Sequence, residues 1–457
     1  MIKRRLLVSL VAWLAFSSAQ ALEGEALYQQ HCAVCHGDNR QGAAGPNLAD
    51  DIWIKVQPHK ADLVKFIGDG LPAAGMPAWK GTLDAAKLAA IADFLLTPAK
   101  PQPVAKTGYP ELANFRLPVG FSIAVYADHV ENARSLAVAP SGVVFVGSLK
   151  AGKVFALVSS KHDHVVDRVV TIASGLNNPI GVAYLNGSLY VAEVSRVLRF
   201  DDIEKTYDKS PAYHVVKADL PTEKWHGQKV IQVGPDGKLY LPIGAPCNVC
   251  NKENELYSKI YRMNPDGSGF EEYARGVRNT VGITWHPLTH QMWFTDNGRD
   301  EMGDNLPSDK LNLAPTPGMH FGFPYCAGGV VPDPEFAAGR RCAEFVEPMA
   351  KLGPHVASLG LKFNTGTQFP EQYRNQLFVA EHGSWNRSQK IGYRVALITL
   401  ADNKVASDTV FIDGFLQNGE VVGRPVDIAF LADGSMLVSD DYRGRVYRVT
   451  YAAPARK

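Results

Sequence analysis

The sequence predicts a small all-α domain followed by an all-β, six-bladed β-propeller, and three observations carry that prediction. Helical periodicity is confined to residues 22–98, after a leader at 1–21. A Pro-, Ala- and Lys-rich stretch, PAKPQPVAKTGYP, ends that segment and reads as a semi-rigid linker over 99–110. From 111 to 457 a different unit recurs: an apolar β run, a turn containing Gly or Asn, and a second apolar β run.

The copies are LAVAPSGVVFVGS (136–148), VAYLNGSLYVAE (182–193), IQVGPDGKLYLPIG (231–244), ITWHPLTHQMWFTD (283–296), LKFNTGTQFPEQYRNQLFVAE (361–381) and IAFLADGSMLVSD (428–440). Aligned on Phe145, Tyr190, Tyr240, Trp293, Phe378 and Leu437, they follow one another at steps of 45, 50, 53, 85 and 59 residues. Such a hairpin leaves a sheet face open, so units of this size bury their cores by closing into a ring. FSIAVYA (121–127) is expected to pair with RVYRVTY (445–451) and close it. The long step predicts an insertion at roughly 300–355 that carries Cys326 and Cys342. An open sandwich is the alternative, and it explains six in-register hairpins poorly.

The leader opens with Lys3, Arg4 and Arg5, continues as an apolar run over 6–16, and ends in Ala19-Gln20-Ala21. That is the pattern of a cleaved secretory signal and predicts a periplasmic protein. The run is too short to span a bilayer, so no membrane span is expected in the mature chain. Lys and Arg number 47 against 46 Asp and Glu, for a net charge of +1, which argues against a nucleic-acid partner or a polybasic membrane patch. In an oxidising compartment four of the six cysteines are expected as the disulfides Cys247–Cys250 and Cys326–Cys342. Zinc at Cys247 and Cys250 would need two further ligands, and none lies at the usual short spacing.

The other two cysteines stand in HCAVCHG (31–37). Cys-x-x-Cys-His is the haem c attachment sequence: Cys32 and Cys35 take the thioether links and His36 one axial position. Met76 is the expected second axial ligand, being the only methionine between the leader and residue 263. His31 is too close to the attachment cysteines to reach the opposite haem face, and His59 opens a polar helix. The carbonyl of Pro46 is a candidate partner for the His36 ring N–H. The whole segment resembles a class I cytochrome c.

In a propeller the first strand of each blade lines the central channel, so the residues just before those strands meet on one face. Here they are Arg134, Asn178, His226, Arg278 with Asn279, His355 with Ser358, and Arg424. Every blade places a polar or charged residue there, with cations dominant, which predicts a small anionic ligand beside a histidine. The tethered haem requires that electrons leave this ligand. No G-x-G-x-x-G follows a strand, which argues against a nicotinamide. A quinone bearing carboxylates fits, and a second haem or a metal stays open at this point.

HGQKVIQVGPDGKLYLPIG, GVRNTVGITWHP, AEHGSWNRS and GRPVDIAFLADGSMLVSDDYRGRVYRVTY resemble the soluble PQQ-dependent glucose/sorbosone dehydrogenase family, in order across 111–451. HGSWNR with GRPV is most similar to the sorbosone dehydrogenase-like branch. The resemblance implies His226 as general base toward a substrate hydroxyl, and Arg278 with Asn279 polarising a quinone oxygen. It implies Arg134, Arg387 and Arg424, with His382, as partners of the PQQ carboxylates. It also implies calcium held by the main-chain oxygens of Gly298 and Arg299, with Asp296, Asp300, Glu301 or Asp304 near. The family carries His-Gly-Pro where this chain has Asn297-Gly298-Arg299, and its best-known members lack the cytochrome.

The expected activity is therefore oxidation of a small sugar, polyol or aldehyde at PQQ, with electrons leaving singly through haem c to an external acceptor. Two alternatives are a nitrite reductase-like enzyme with haem d, whose propeller has eight blades, and a non-catalytic electron-transfer subunit with a docking propeller.

Overall fold

The computed structural model describes residues 23–36, 59–72, 75–97, 109–161 and 164–453, together with Arg40, Leu48 and Val56. The leader, most of the linker and Pro46 lie outside the described residues. Among those described, no helix is long and apolar enough to cross a membrane.

The N-terminal part is helical: α1 (23–31), α2 (Ala33–His36), α3 (Lys60–Asp69) and α4 (Ala85–Leu95). The Asp84 side chain caps α4 by accepting from Lys87 N at 2.9 Å. At the other end the buried Arg40 guanidinium donates to the carbonyls of Phe94, Leu95 and Thr97, satisfying oxygens that the helix leaves free. Leu63, Ile67, Leu88, Ile91 and Phe94 fill the core between α3 and α4.

From residue 121 the chain forms six sheets of four or five strands arranged in a ring. Blade 1 is Ala133–Val138, Val144–Ser148, Val154–Val158 and Arg168–Ala173; blade 2 is Gly181–Leu185, Ser188–Ala192, Val197–Phe200 and His214–Lys217. Blade 3 runs Gln232–Val233, Leu239–Ile243, Lys259–Met263 and Glu271–Arg275, with Met319–His320 added in parallel. Blade 4 is Gly282–Trp285, Met292–Asp296, Ser308–Ala314 and Ala350–Pro354, and blade 5 is Ser358–Phe363, Leu377–Glu381, Arg394–Ala401 and Lys404–Ile412. Blade 6 holds Pro425–Phe430, Met436–Asp440 and Arg445–Tyr451, and its outer strand is Phe121–Ala127 from the start of the domain. The closure follows the expected pairing, with Phe121 opposite Tyr451 and Ile123 opposite Val449.

Second strands are buried on both faces because each sheet is packed between two neighbours. Val144–Ser148, Leu239–Ile243, Met292–Asp296, Leu377–Glu381 and Met436–Asp440 are buried at every residue, whereas the outer Arg168–Ala173 and His214–Lys217 are mostly open. Each inter-blade core draws on two adjacent blades, and the series runs round the ring: Phe145 with Leu198, Tyr190 with Leu241, Ile260 with Phe294, Trp293 with Leu361, Phe378 with Ile428, and Leu437 with Phe155. At the hub the first strands touch so closely that a Cβ on Gly282 would lie 2.1 Å from the Leu359 carbonyl, and one on Gly360 2.2 Å from an Asp427 carboxylate oxygen. Only glycine fits there.

The insertion is shorter than the sequence implied. Ser308–Ala314 and Ala350–Pro354 are the outer strands of blade 4, so the inserted segment is 315–349. Outer strands carry mixed polarity, which hides them in a sequence. Both expected disulfides, Cys247–Cys250 and Cys326–Cys342, are formed.

Candidate functional site

The haem segment brings Cys32 and Cys35 together, half-buried and unbonded, across the junction of α1 and α2. Burial, then the neighbouring Cys35, pushes the Cys32 thiol up to about 11. Leu27, Cys32, Leu48, Val56, Val64, Met76 and Trp79 pack, partly buried, against the core of the helical domain. An attachment cysteine and the expected axial methionine thus border one apolar cluster, which suits a porphyrin face. Of the competing ligands, His31 packs on Trp79 with ring centroids 5.1 Å apart, and the His59 side chain is 74% exposed beside Asp62.

On the propeller the leading loops of the blades are held by carboxylates that end the second strands. Asp296 Oδ1 accepts from the backbone N–H groups of Arg278 and Asn279 at 2.9 and 2.8 Å, while its other oxygen pairs with buried Lys310. Asp440 accepts from Arg424 N at 3.0 Å, and Glu193 accepts from Asn177 N. The same device thus serves three blades. Its signal in the sequence is the acidic residue that ends VAE, FTD and VSD, four of the recurring units carrying one.

Two clusters form on this face. The first converges on Asp441: Arg134 Nη1 donates to Oδ2 at 2.9 Å, Arg424 Nε to Oδ1 at 3.0 Å, and His382 Nε2 to Oδ1 at 3.0 Å. Burial raises the Asp441 carboxyl, but His382, Arg134 and Arg424 more than offset it and hold it well below the usual carboxylate range. Burial lowers the His382 imidazole against the pull of Asp441. Three of the four residues expected to bind cofactor carboxylates are therefore brought together, on a carboxylate that motif reading missed. Arg134 Nε is buried without a partner. Two guanidinium groups sharing one carboxylate leave donors for an anionic ligand, so the cluster fits a carboxylate-bearing cofactor.

Arg387 is not part of this cluster. It donates to the Asp304 carbonyl and, at 3.1 Å, to that of Gln389, because HGSWNRS folds back on the 300–305 loop. His355 is likewise turned to that loop, with Nε2 2.9 Å from the Gly303 oxygen.

The second cluster surrounds Arg278. Its Nε donates to the Asn248 carbonyl at 2.8 Å, Nη1 to Gly298 O at 2.6 Å and Asn297 O at 3.5 Å, and Nη2 to Asn248 Oδ1 and Asp300 Oδ2, both at 2.9 Å. All five guanidinium donors are engaged, so Arg278 can act on a neighbour through its fixed charge. The Asn279 side chain has no hydrogen bond to the described residues and keeps its amide for a ligand. His226, in a left-handed backbone conformation at φ 47°, directs Nδ1 to the Ala245 carbonyl at 2.9 Å. Since a carbonyl only accepts, Nδ1 carries the proton and Nε2 has the lone pair. Burial, then the Arg278 charge, lowers this imidazole to about 3 and keeps it neutral.

The loop expected to hold calcium makes polar contacts of its own. The Gly298 oxygen faces the Arg278 guanidinium, and the Arg299 side chain is drawn to Asp333 and Glu335, each at 2.8 Å. Asp300 is taken by Arg278 and Asn386, and Asp304 by Ser388. Among the described residues no three acidic, imidazole or thiol side chains are placed to share an ion. The side chains of Arg299, Asp300 and Asp304 are thus bonded to other residues, and of the two main-chain oxygens expected to hold calcium that of Gly298 accepts from Arg278 Nη1. Buried oxygens of Asn297, Thr280 and Ser358 lack partners, which marks the hub as polar and open to a hydrogen-bonding ligand.

A family model described as TrAA12-like matches residues 115–452, and one described as cytochrome C oxidase, cbb3-type, subunit III matches residues 19–95. An uncharacterized protein of Borreliella burgdorferi is 33% identical over 355 residues, which cover 74% of this chain and 91% of that protein. A pyrroloquinoline quinone-dependent pyranose dehydrogenase of Coprinopsis cinerea is 31% identical over 297 residues, covering 51% of this chain but only 39% of that enzyme. A solved structure of a carbohydrate-active enzyme of family AA12 from Trichoderma reesei superposes with a TM-score of 0.66 at 18% identity, over 77% of this chain and all of that one. At that identity the likeness establishes the fold.

Proposed function

The chain belongs to the TrAA12-like family and carries a cytochrome c domain ahead of its propeller, and from that premise we propose that it is a periplasmic quinohaemoprotein dehydrogenase. Its substrate is a sugar or related polyol or aldehyde, and its electrons leave through haem c to an external carrier. The observation that carries this reading is the pairing on one face of a neutral histidine with a buried, fully coordinated arginine.

PQQ, when bound, supplies a two-electron quinone acceptor, and the haem a one-electron outlet. His226 accepts the substrate hydroxyl proton at Nε2, its tautomer fixed by Ala245. Arg278 contributes a positive charge that is already oriented and desolvated, so no reorganisation is needed as negative charge develops beside it. Asn279 offers its amide as donor. Arg134 and Arg424, set by Asp441, hold carboxylates of the ligand. The described end of the linker is anchored to blade 6. Glu111 pairs with Arg445, which follows the Asp440–Asp441 turn, and Tyr109 stacks under the same guanidinium at 4.4 Å.

The His382–Asp441 pair also has the form of an oriented base, and variants separate the two histidines. His226→Ala should lower substrate-driven haem reduction by roughly 10²–10⁴-fold with PQQ affinity retained. If His226→Ala reduces haem at the wild-type rate while His382→Ala does not, the assignment moves to His382.

A further inference from the structure

We propose that Asn248, held between Cys247 and Cys250 by their disulfide, is the positioning residue that fixes the Arg278 guanidinium in the site. The inference rests on the function proposed above and deepens it by naming what builds the site's fixed charge.

The segment 245–250 contains no strand or helix, yet it touches both candidate catalytic groups. The Ala245 carbonyl sets the His226 tautomer, and Ala245 N donates to the Arg278 carbonyl at 2.8 Å. Three residues on, Asn248 meets the guanidinium edge with two acceptors, its carbonyl to Nε and its side-chain oxygen to Nη2. That side-chain oxygen also accepts from Asp300 N at 2.9 Å, and its amide donates to Asp300 O at 3.2 Å. Asp300 in turn completes the clamp on Arg278 Nη2. Only a side chain with both donor and acceptor closes this circuit, which is the chemistry of an amide.

An irregular loop has no ladder to hold such a residue at fixed geometry, and here covalent and polar ties replace it. The disulfide closes the loop directly around Asn248. Beyond Cys250, Asn251 donates to Tyr325 OH at 3.0 Å, and Glu253 bonds Tyr325 OH and His320 Nε2, both at 2.7 Å. Those partners stand in and beside the inserted segment that Cys326–Cys342 braces. The insertion and the disulfide thus serve one end: they hold Asn248 against an arginine that carries no spare donor of its own.

The groups facing His226 are the Arg278 guanidinium, the Ala245 carbonyl and the Trp225 ring. Burial is the larger cause that holds the imidazole low and the Arg278 charge the second, so displacing Arg278 relieves the smaller part, which gives a readout independent of any cofactor. In the full-length holocytochrome without PQQ, the His226 imidazole is titrated by NMR. Asn248→Ala is expected to raise its pKa by roughly one unit. Asn248→Asp, which keeps the acceptor for Nη2 but loses the donor to Asp300 O, is expected to recover only part of the PQQ affinity lost in Asn248→Ala, and Cys247→Ser/Cys250→Ser to bind less tightly than wild type. PQQ affinity, followed by its absorbance, should weaken at least about tenfold in Asn248→Ala, the size of one charge-assisted hydrogen bond. Haem absorbance and unfolding midpoint report that the variants are folded. An unchanged His226 titration in folded Asn248→Ala overturns the proposal, as does equal PQQ affinity in the Ala and Asp variants. Wild-type protein that binds no PQQ would instead overturn the proposed function, with the imidazole titration still deciding the role of Asn248.

Discussion

Cys32–Cys35 and Cys247–Cys250 share one spacing and differ in almost everything else. The first pair straddles two helices, is half-buried and is followed by His36. The second lies in a loop without regular structure, is oxidised, and encloses an asparagine bonded to the most heavily coordinated arginine of the propeller face. Spacing sets only how near two sulfurs can come. The residues around them decide whether the pair holds a cofactor or holds the backbone. In the first case Cys32 borders an apolar core. In the second Asn248, between the cysteines, is bonded to Arg278 and Asp300.

The contrast can be broken most severely at the first pair. Cys32→Ala/Cys35→Ala should eliminate covalently bound haem, seen as loss of haem staining after denaturing electrophoresis, while dye-linked oxidation at the propeller persists. Loss of dye-linked activity as well would mean that the two halves do not work as outlet and source. Met76→Ala is expected to keep the covalent haem but lower its reduction potential in an electrochemical titration, because an axial thioether raises it. An unchanged potential would return the second ligand to His31 or His59.

The second pair sharpens the comparison when set against Cys326–Cys342. Cys326→Ser/Cys342→Ser opens a loop of sequence separation 16 and should cost about 3 kcal/mol in denaturant unfolding. Cys247→Ser/Cys250→Ser opens a separation of 3 and should cost about half as much. Turnover should fall in the opposite order, since only the shorter loop contacts Arg278. The smallest effect expected is in pH dependence. His226 must be neutral to accept a proton, and its folded value is depressed to about 3. The rate should then stay flat as pH falls through about 6.5, where an ordinary imidazole would charge. A rate that halves near that pH in cofactor-saturated protein would contradict a His226 held neutral by burial and the Arg278 charge.

The sequence showed the blades because their second strands are packed on both faces, and so read as apolar runs with a turn before them. It showed ring closure because Phe121–Ala127 was a β run ahead of the first unit, and the last unit ended in Arg445–Tyr451 with an edge to offer. It also brought Arg134, Arg424 and His382 into one expectation. What it hid were contacts between residues far apart in the chain: Asp441 stands 307 positions from Arg134, and Asn248 stands 52 from Asp300. Neither carries a local pattern that marks it. The place of Arg387 outside that cluster was hidden for the same reason, since only the fold shows HGSWNRS bonded to the 300–305 loop. The contact of Arg278 with the Gly298 oxygen, 20 positions on, was hidden in the same way.

The central claim, that the propeller feeds electrons from a sugar-type substrate through a quinone to the tethered haem, is tested by one spectrum. Purified holocytochrome is oxidised, supplied with PQQ, and mixed with a panel of aldoses, polyols and aldehydes while haem absorbance is followed. The account predicts substrate-dependent haem reduction in the presence of PQQ and none in its absence. Haem that stays oxidised with every substrate, or that is reduced equally without PQQ, would contradict it.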